Sequence, residues 1–158
     1  SRIPEWWLGL SGDGVVTPHL GEMSRLTGKT VGEINADRLN STKQWACQWG
    51  KSLVLKGAYT VISSPSGQAR ISPFANPGLS SAGTGDVLAG GVVGLLGQGM
   101  SPFDAACCAV YLHGVAGEQA RLAMGDTGVL ASDLLTRLPL AIKELKERDA
   151  GLHPVGSG

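Results

Sequence analysis

The residues best placed to do chemistry lie in one stretch, Asn76-Pro77-Gly78-Leu79-Ser80-Ser81-Ala82-Gly83-Thr84-Gly85-Asp86. It runs directly into the apolar segment Val87-Leu88-Ala89-Gly90-Gly91-Val92-Val93. Glycines let main-chain N–H groups converge where side chains would block them. A helix N-terminus adds unpaired donors and partial positive charge. Together they predict an anion site, most often for phosphate. Asp86 is the odd member, since a carboxylate repels phosphate; its chemistry suits a base aimed at a group that attacks phosphorus. Two familiar loops fail on spelling. A Walker loop from Gly78 and Gly83 needs lysine where Thr84 stands. A dinucleotide fingerprint from Gly83 needs glycine or alanine where Leu88 stands. The plain alternative is a tight turn followed by a favourable first-turn acid.

Two further segments carry reactive side chains. Thr17-Pro18-His19-Leu20-Gly21-Glu22 sets a histidine and a carboxylate just after the strand-like Val15-Val16. Lys56-Gly57-Ala58-Tyr59-Thr60 follows the apolar Ser52-Leu53-Val54-Leu55, which suits a strand buried on both faces. In open α/β sheets ligands collect at the carboxyl ends of strands, where all three segments fall. By themselves, His19 also reads as a surface or capping histidine and Lys56 as a solvated strand-end lysine. His113 reads as a packed or hydrogen-bonded core residue.

The elements that must position these segments follow from local signals. A short helix is expected over Gly21 to Leu26, and Thr30-Val31-Gly32-Glu33 spells a capping box that opens a helix to about Trp49. Trp45, Ala46 and Trp49 share one side of it, and Gly50 stops it. Pro65-Ser66-Gly67 joins strands at Thr60 to Ser63 and Gln68 to Ile71. A helix buried on most sides is expected from Asp86 to about Leu96, and Ser101-Pro102 opens another to about Ala123. Ser132 is read as the cap of a last helix from Asp133 to about Glu147, bent or divided at Pro139. This order is that of an α/β domain over 1–148, with a disordered glycine-rich tail at 149–158.

Composition narrows the class. The chain has 158 residues, 42% hydrophobic and 16% charged, with 13 basic and 13 acidic side chains. Ordinary soluble domains carry about 25% charge, so association into a homo-oligomer is expected, with Trp6 and Trp7 as core or contact residues. No basic run points to nucleic acid, and no apolar stretch reaches the length of a membrane span. Three cysteines, two of them adjacent at Cys107 and Cys108, make neither a disulfide framework nor a zinc site. A reducing cytoplasm is the expected location.

In order along the chain stand Thr17-Pro18-His19-x-Gly21-Glu22, Val54-Leu55-Lys56-Gly57-Ala58, Gly83-Thr84-Gly85-Asp86-Val87-Leu88-Ala89-Gly90, Tyr111-Leu112-His113-Gly114-x-Ala116-Gly117 and Ala131-Ser132-Asp133-Leu134-Leu135. This series resembles the ADP/ATP-dependent NAD(P)H-hydrate dehydratases, from about Val15 to Leu145. The resemblance implies a ribokinase-like three-layer α/β/α fold, of which this chain is the C-terminal portion only. It implies that Asp86 is catalytic and contacts the hydrated nicotinamide, with His19 also binding substrate. Gly83, Thr84 and Gly85 would form the anion hole. Lys56, Gly57, Ala58, Tyr59 and Thr60, with Gly85, would bind the nucleotide, and Glu22 would act on Mg2+ indirectly, through water. Three departures stand out: Leu20 for a usual proline, Tyr59 for a usual glycine, and Ser80-Ser81-Ala82 for Ala-Thr-Gly. Tyr59 puts a bulky side chain at a backbone-lined site, where it would crowd adenine or ribose.

The implied reaction returns NADHX or NADPHX to NADH or NADPH, with ADP or ATP as co-substrate and Mg2+ as cofactor. Phosphorylation turns the ring hydroxyl into a better leaving group, and phosphate is then eliminated. Two other functions fit the same residues. One is a small-molecule kinase of the ribokinase superfamily; the other is a truncated nucleotide-binding module without catalysis.

Overall fold

The computed structural model describes residues 5–9 and 11–152. Four short strands, β1 (Val15–Val16), β2 (Ser52–Leu55), β3 (Val61–Ser63) and β4 (Ala69–Ile71), form one sheet in that order. β1 runs parallel to β2, pairing Val16 with Leu53. The hairpin then reverses twice, with Leu55 opposite Val61 and Val61 opposite Ile71. Two reversals leave β4 pointing the same way as β1 and β2. The carboxyl ends of those three strands therefore share one end of the sheet.

Among the described residues five α-helices cover the two faces, α1 (Leu20–Thr27), α2 (Val31–Ala36), α3 (Arg38–Trp49), α4 (Thr84–Gly97) and α5 (Pro102–Met124), and a sixth, α6 (Ala131–Leu152), follows them. Side chains alternate across a strand, and β2 uses both faces. Leu53 and Leu55 pack with Met23, Ile34, Ala46 and Trp49 of α1–α3. Val54 packs with Ile62, Leu88, Val92, Ala106 and Val110, on the side of α4 and α5. Each such buried aliphatic side chain contributes about 1.5–3 kcal/mol. The result is a three-layer α/β/α arrangement, as the sequence predicts. α6 lies outside the sandwich and packs on α5 through Leu112, Ala116, Ala120, Leu134 and Ala141. Trp6 and Trp7 lie against Trp49, with ring centres 5.2 and 6.2 Å away, and so pack around the α1–α3 core.

Several element boundaries differ from the sequence expectation. The helix expected from Thr30 to Trp49 is broken at Asp37, whose backbone leaves helical space (φ −145°, ψ 75°) and whose carboxylate caps α3 at Asn40 N–H. The capping box at Thr30 is present but serves only the six residues of α2. α4 begins two residues before Asp86. Only one of its faces is buried, and Val93 is 66% exposed. Ser132 is inside α6 rather than its cap, because Asp133 reaches back to Leu130 N–H. α6 runs through Pro139 as one helix and continues to Leu152, past the expected start of the tail. Residues 153–158 lie outside the described residues. The three cysteines are free.

Candidate active site

At the carboxyl end of the sheet a cavity of about 640 Å³ opens between the strand ends, the loop before α4 and α5. His19, Lys56, Gly57, Ala58, Thr60, Gly83, Thr84, Gly85 and Asp86 all line it. Residues spread over 68 positions in sequence thus meet because β1, β2 and β4 end together.

His19 caps α1 by an uncommon route. Its ring Nδ1 accepts from the N–H groups of Gly21 (3.0 Å) and Glu22 (3.2 Å). Glu22 Oε2 accepts in return from the His19 N–H at 2.7 Å, completing a capping box with histidine in place of serine. With Nδ1 an acceptor, Nε2 is the nitrogen left to donate from a neutral ring. That Nε2 lies 3.5 Å from Glu22 Oε1, while the ring also lines the cavity. Lys56 sits beside it: its N–H donates to Pro18 carbonyl at 2.8 Å, and its ammonium is 3.6 Å from Glu22 Oε2. Burial alone would raise the Glu22 carboxyl; the His19 N–H, Lys56 and the His19 ring outweigh it and hold it below its ordinary value.

The loop before α4 is tied from inside. Asn76 Oδ1 accepts from Gly78 N–H at 2.8 Å, while its buried Nδ2 lacks a partner. The Thr84 hydroxyl is placed to donate to the carbonyls of Leu79 (2.7 Å) or Ser81 (2.8 Å), and Thr84 is only 2% exposed. Its N–H is also taken, by Ser81 carbonyl at 3.3 Å. Of the three residues expected to make the anion hole, Thr84 is therefore a tie of the loop. Gly83 and Gly85 keep their N–H groups without a hydrogen bond among the described residues. Gly83 has φ +84°, a conformation that admits glycine readily and turns the chain into α4. A Cβ at Gly85 would lie 3.1 Å from Lys56 Nζ, so the lysine rests directly on the α4 N-terminus. Asp86, in the first turn, is exposed and faces the cavity rather than the core.

Tyr59 is an exception among the expected ligand residues. It holds φ +54°, a conformation unfavourable to side chains, and is 58% exposed. It does not line the cavity; only its N–H is anchored, on Phe74 carbonyl at 2.9 Å. The crowding of adenine or ribose expected from its ring is thus absent at the cavity wall. Glu22 likewise is not part of the lining, its carboxylate being engaged by His19 and Lys56. Among the described residues no group of three His, Cys, Asp or Glu side chains could hold a metal ion. The role expected of Glu22, indirect and through water, calls for no such group.

Sequence reasoning missed part of the wall. Phe74 and Leu79 press into α5 at Gly114 and Gly117, where a Cβ would meet them at 2.0 and 2.6 Å. His113, 8% exposed, reaches Thr84 carbonyl with Nε2 at 2.9 Å and so fixes the start of α4. Burial lowers its pKa; the bond to Thr84 opposes this and the charge of Lys56 adds to it. Arg38 grips the turn after β2 from behind. The reading of His113 as a hydrogen-bonded core residue is borne out; the contacts of Phe74, Leu79 and Arg38 had no signal in the sequence beyond the glycines at 114 and 117.

Comparison with known proteins agrees with this geometry. Residues 8–140 match the family described as NAD(P)H-hydrate dehydratase. The bifunctional NAD(P)H-hydrate repair enzyme Nnr of Moorella thermoacetica is 45% identical over 150 residues, covering 95% of this chain and 28% of that protein. The crystal structure of ADP/ATP-dependent NAD(P)H-hydrate dehydratase from Bacillus subtilis, co-crystallized with ATP/Mg2+ and soaked with CoA, superposes with a TM-score of 0.79. It is 38% identical, covering 82% of this chain and 48% of that one. A ribokinase-like superfamily protein from Enterococcus faecalis is 33% identical with a TM-score of 0.70, over 82% of this chain and 44% of that chain. The fold is thus ribokinase-like, and the chain spans about half the length of these solved relatives.

Proposed function

We propose nucleotide-driven dehydration of hydrated NAD(P)H for this chain, which belongs to the NAD(P)H-hydrate dehydratase family. The exposed Asp86 carboxylate, set one residue from the open Gly85 N–H and facing the cavity that Lys56 also lines, is what carries this reading. Asp86 takes the proton of the ring hydroxyl as that oxygen attacks the terminal phosphoryl group of ADP or ATP. The bond from phosphorus to the bridging oxygen breaks, and AMP or ADP departs. The N–H groups of Gly83 and Gly85, the dipole of α4 and the Lys56 ammonium meet the charge on the transferred group. The phosphorylated oxygen then leaves as phosphate, expelled by the ring-nitrogen lone pair. Loss of a proton from the adjacent carbon restores the double bond.

Lys56, Gly57, Ala58 and Thr60 form the nucleotide-facing wall, and His19, which lines the same cavity, contacts the substrate. Mg2+ would be held by the nucleotide's phosphate oxygens and water, with Glu22 acting on it indirectly, and would supply positive charge against the phosphates.

Asp86→Asn is the decisive variant. General-base action is worth about 100- to 10,000-fold, so turnover of NADHX with ADP should fall by that factor while ADP binding, measured by calorimetry, stays unchanged. Recovery of the reduced-nicotinamide absorbance at the wild-type rate in this variant overturns the assignment. Release of free phosphate distinguishes elimination from a kinase, in which phosphorylated product accumulates. Binding of ADP without any turnover by the unsubstituted chain identifies a nucleotide-binding module instead.

A further inference from the structure

We infer that Arg38 is a positioning residue for the nucleotide wall, its guanidinium fixing the Lys56–Ala58 turn so that Lys56 stays over the α4 N-terminus; this rests on the proposed nucleotide site. Arg38 opens α3, a place where a cation is disfavoured by the helix dipole. Its neighbour Asp37 does not compensate it, being turned to Asn40 N–H (3.1 Å) and Nδ2 (2.7 Å). Instead Nη1 donates to Ala58 carbonyl at 2.8 Å, and Nη2 to the carbonyls of Leu55 (3.2 Å) and Lys56 (3.4 Å). Nε is buried without a partner. Burial lowers the pKa of the guanidinium, and among the described residues no carboxylate offsets it. A local rule broken in this manner, with no charge partner gained, marks a residue held for a purpose beyond stability.

The turn is shaped around that guanidinium. Gly57 has φ +146°, and a Cβ there would lie 2.9 Å from Arg38 Nη2. Glycine is thus demanded twice, by conformation and by the space the arginine fills. Three carbonyls of one short turn are drawn toward Arg38, on the side away from the cavity that Lys56, Gly57 and Ala58 line. With the main chain pinned on both flanks of Gly57, the Lys56 side chain starts from a fixed base and reaches both Glu22 and Gly85. Only a planar fork satisfies carbonyls in this spread; an ammonium is a point donor.

The test compares Arg38→Met and Arg38→Lys with the unsubstituted full chain, by amide hydrogen exchange and by calorimetric binding of ADP. In Arg38→Met the amides of Lys56 and Tyr59, bonded to Pro18 and Phe74, should exchange at least about tenfold faster, while those of Leu53 and Val54 keep their protection. ADP should bind at least about tenfold more weakly, with Arg38→Lys recovering only part of the loss. A merely structural role would instead speed exchange throughout β2 and spare the affinity of the folded fraction. Wild-type protection at Lys56 and Tyr59 in Arg38→Met overturns the inference, as does full recovery by lysine or unchanged ADP affinity. Should Arg38→Met fail to fold, Arg38→Gln, which keeps a hydrogen-bond donor but not the planar fork, is read by the same two measurements. If the unsubstituted chain binds no ADP yet the exchange pattern follows expectation, the nucleotide reading falls and the positioning role of Arg38 stands.

Discussion

Two single residues hold states that measurement can expose. His113 is buried and neutral-favouring, its pKa lowered from the ordinary histidine value. The unfolded chain therefore binds a proton at higher pH than the folded one does. Stability from this group is fully present above about pH 6.5 and is lost as pH falls from there through the lower folded value. Urea midpoints measured downward from neutral pH should show this loss, and His113→Gln should flatten the profile over that window. Tyr59 makes the opposite case, a strained backbone with little packing. A side chain at positive φ costs about 1–3 kcal/mol, and glycine's extra unfolded-state freedom returns up to about 1 of it. Tyr59→Gly should therefore stabilise the chain by about 0.5–1 kcal/mol in denaturant unfolding, and should leave the cavity wall unchanged because the ring is not part of it.

Between elements, the fit of the loop before α4 against α5 decides the cavity's shape. Phe74 reaches Gly114 so closely that a Cβ would sit 2.0 Å from its ring. Gly114→Ala must push Phe74 outward, and with it the carbonyl that anchors Tyr59. A loss of about 1–3 kcal/mol is expected, typical of an overfilled contact, together with weaker ADP binding. Gly90 is the control, since nothing lies within 4 Å of a Cβ there on the exposed side of α4. Gly90→Ala should stabilise by up to about 1 kcal/mol through helix propensity alone. If both alanines behaved alike in thermal unfolding, the packing role of Gly114 would be wrong.

On the scale of the whole molecule, a nucleotide bound as proposed would bridge the turn after β2 and the α4 N-terminus and so couple both faces of the sheet. Ligand that binds only the folded chain stabilises it by about 2.7 kcal/mol at 100 times its dissociation constant. For a domain of this size that is a rise in Tm of about 5–10 °C with saturating ADP. The rise should shrink in Arg38→Met and persist in Asp86→Asn, because one variant loosens the nucleotide wall and the other removes only the base. Exposed leucines on α5, on α6 and in the loop between them, Leu122, Leu135 and Leu130 among them, lie away from this site and take no part in the prediction.

Local chemistry was legible in the sequence: the glycine turn before a helix, the carboxylate in its first turn, the hairpin at Pro65 to Gly67, and strands too apolar to face water. Neighbours in the chain set all of these, so short motifs suffice to read them. The break at Asp37 was not legible, because the capping box at Thr30 marks a helix start and says nothing of how far the helix runs. Nor was the release of Thr84 from the anion site, which depends on carbonyls supplied by the loop folded over it. Tertiary structure alone brought Lys56 onto Gly85, Arg38 behind Gly57 and Phe74 into α5. Those contacts join residues 19 to 40 positions apart, and their geometry exists only once the strands end together and the helices pack. The sequence by itself determined which groups are available for phosphoryl chemistry; packing decided which of them face the cavity and which hold it in shape.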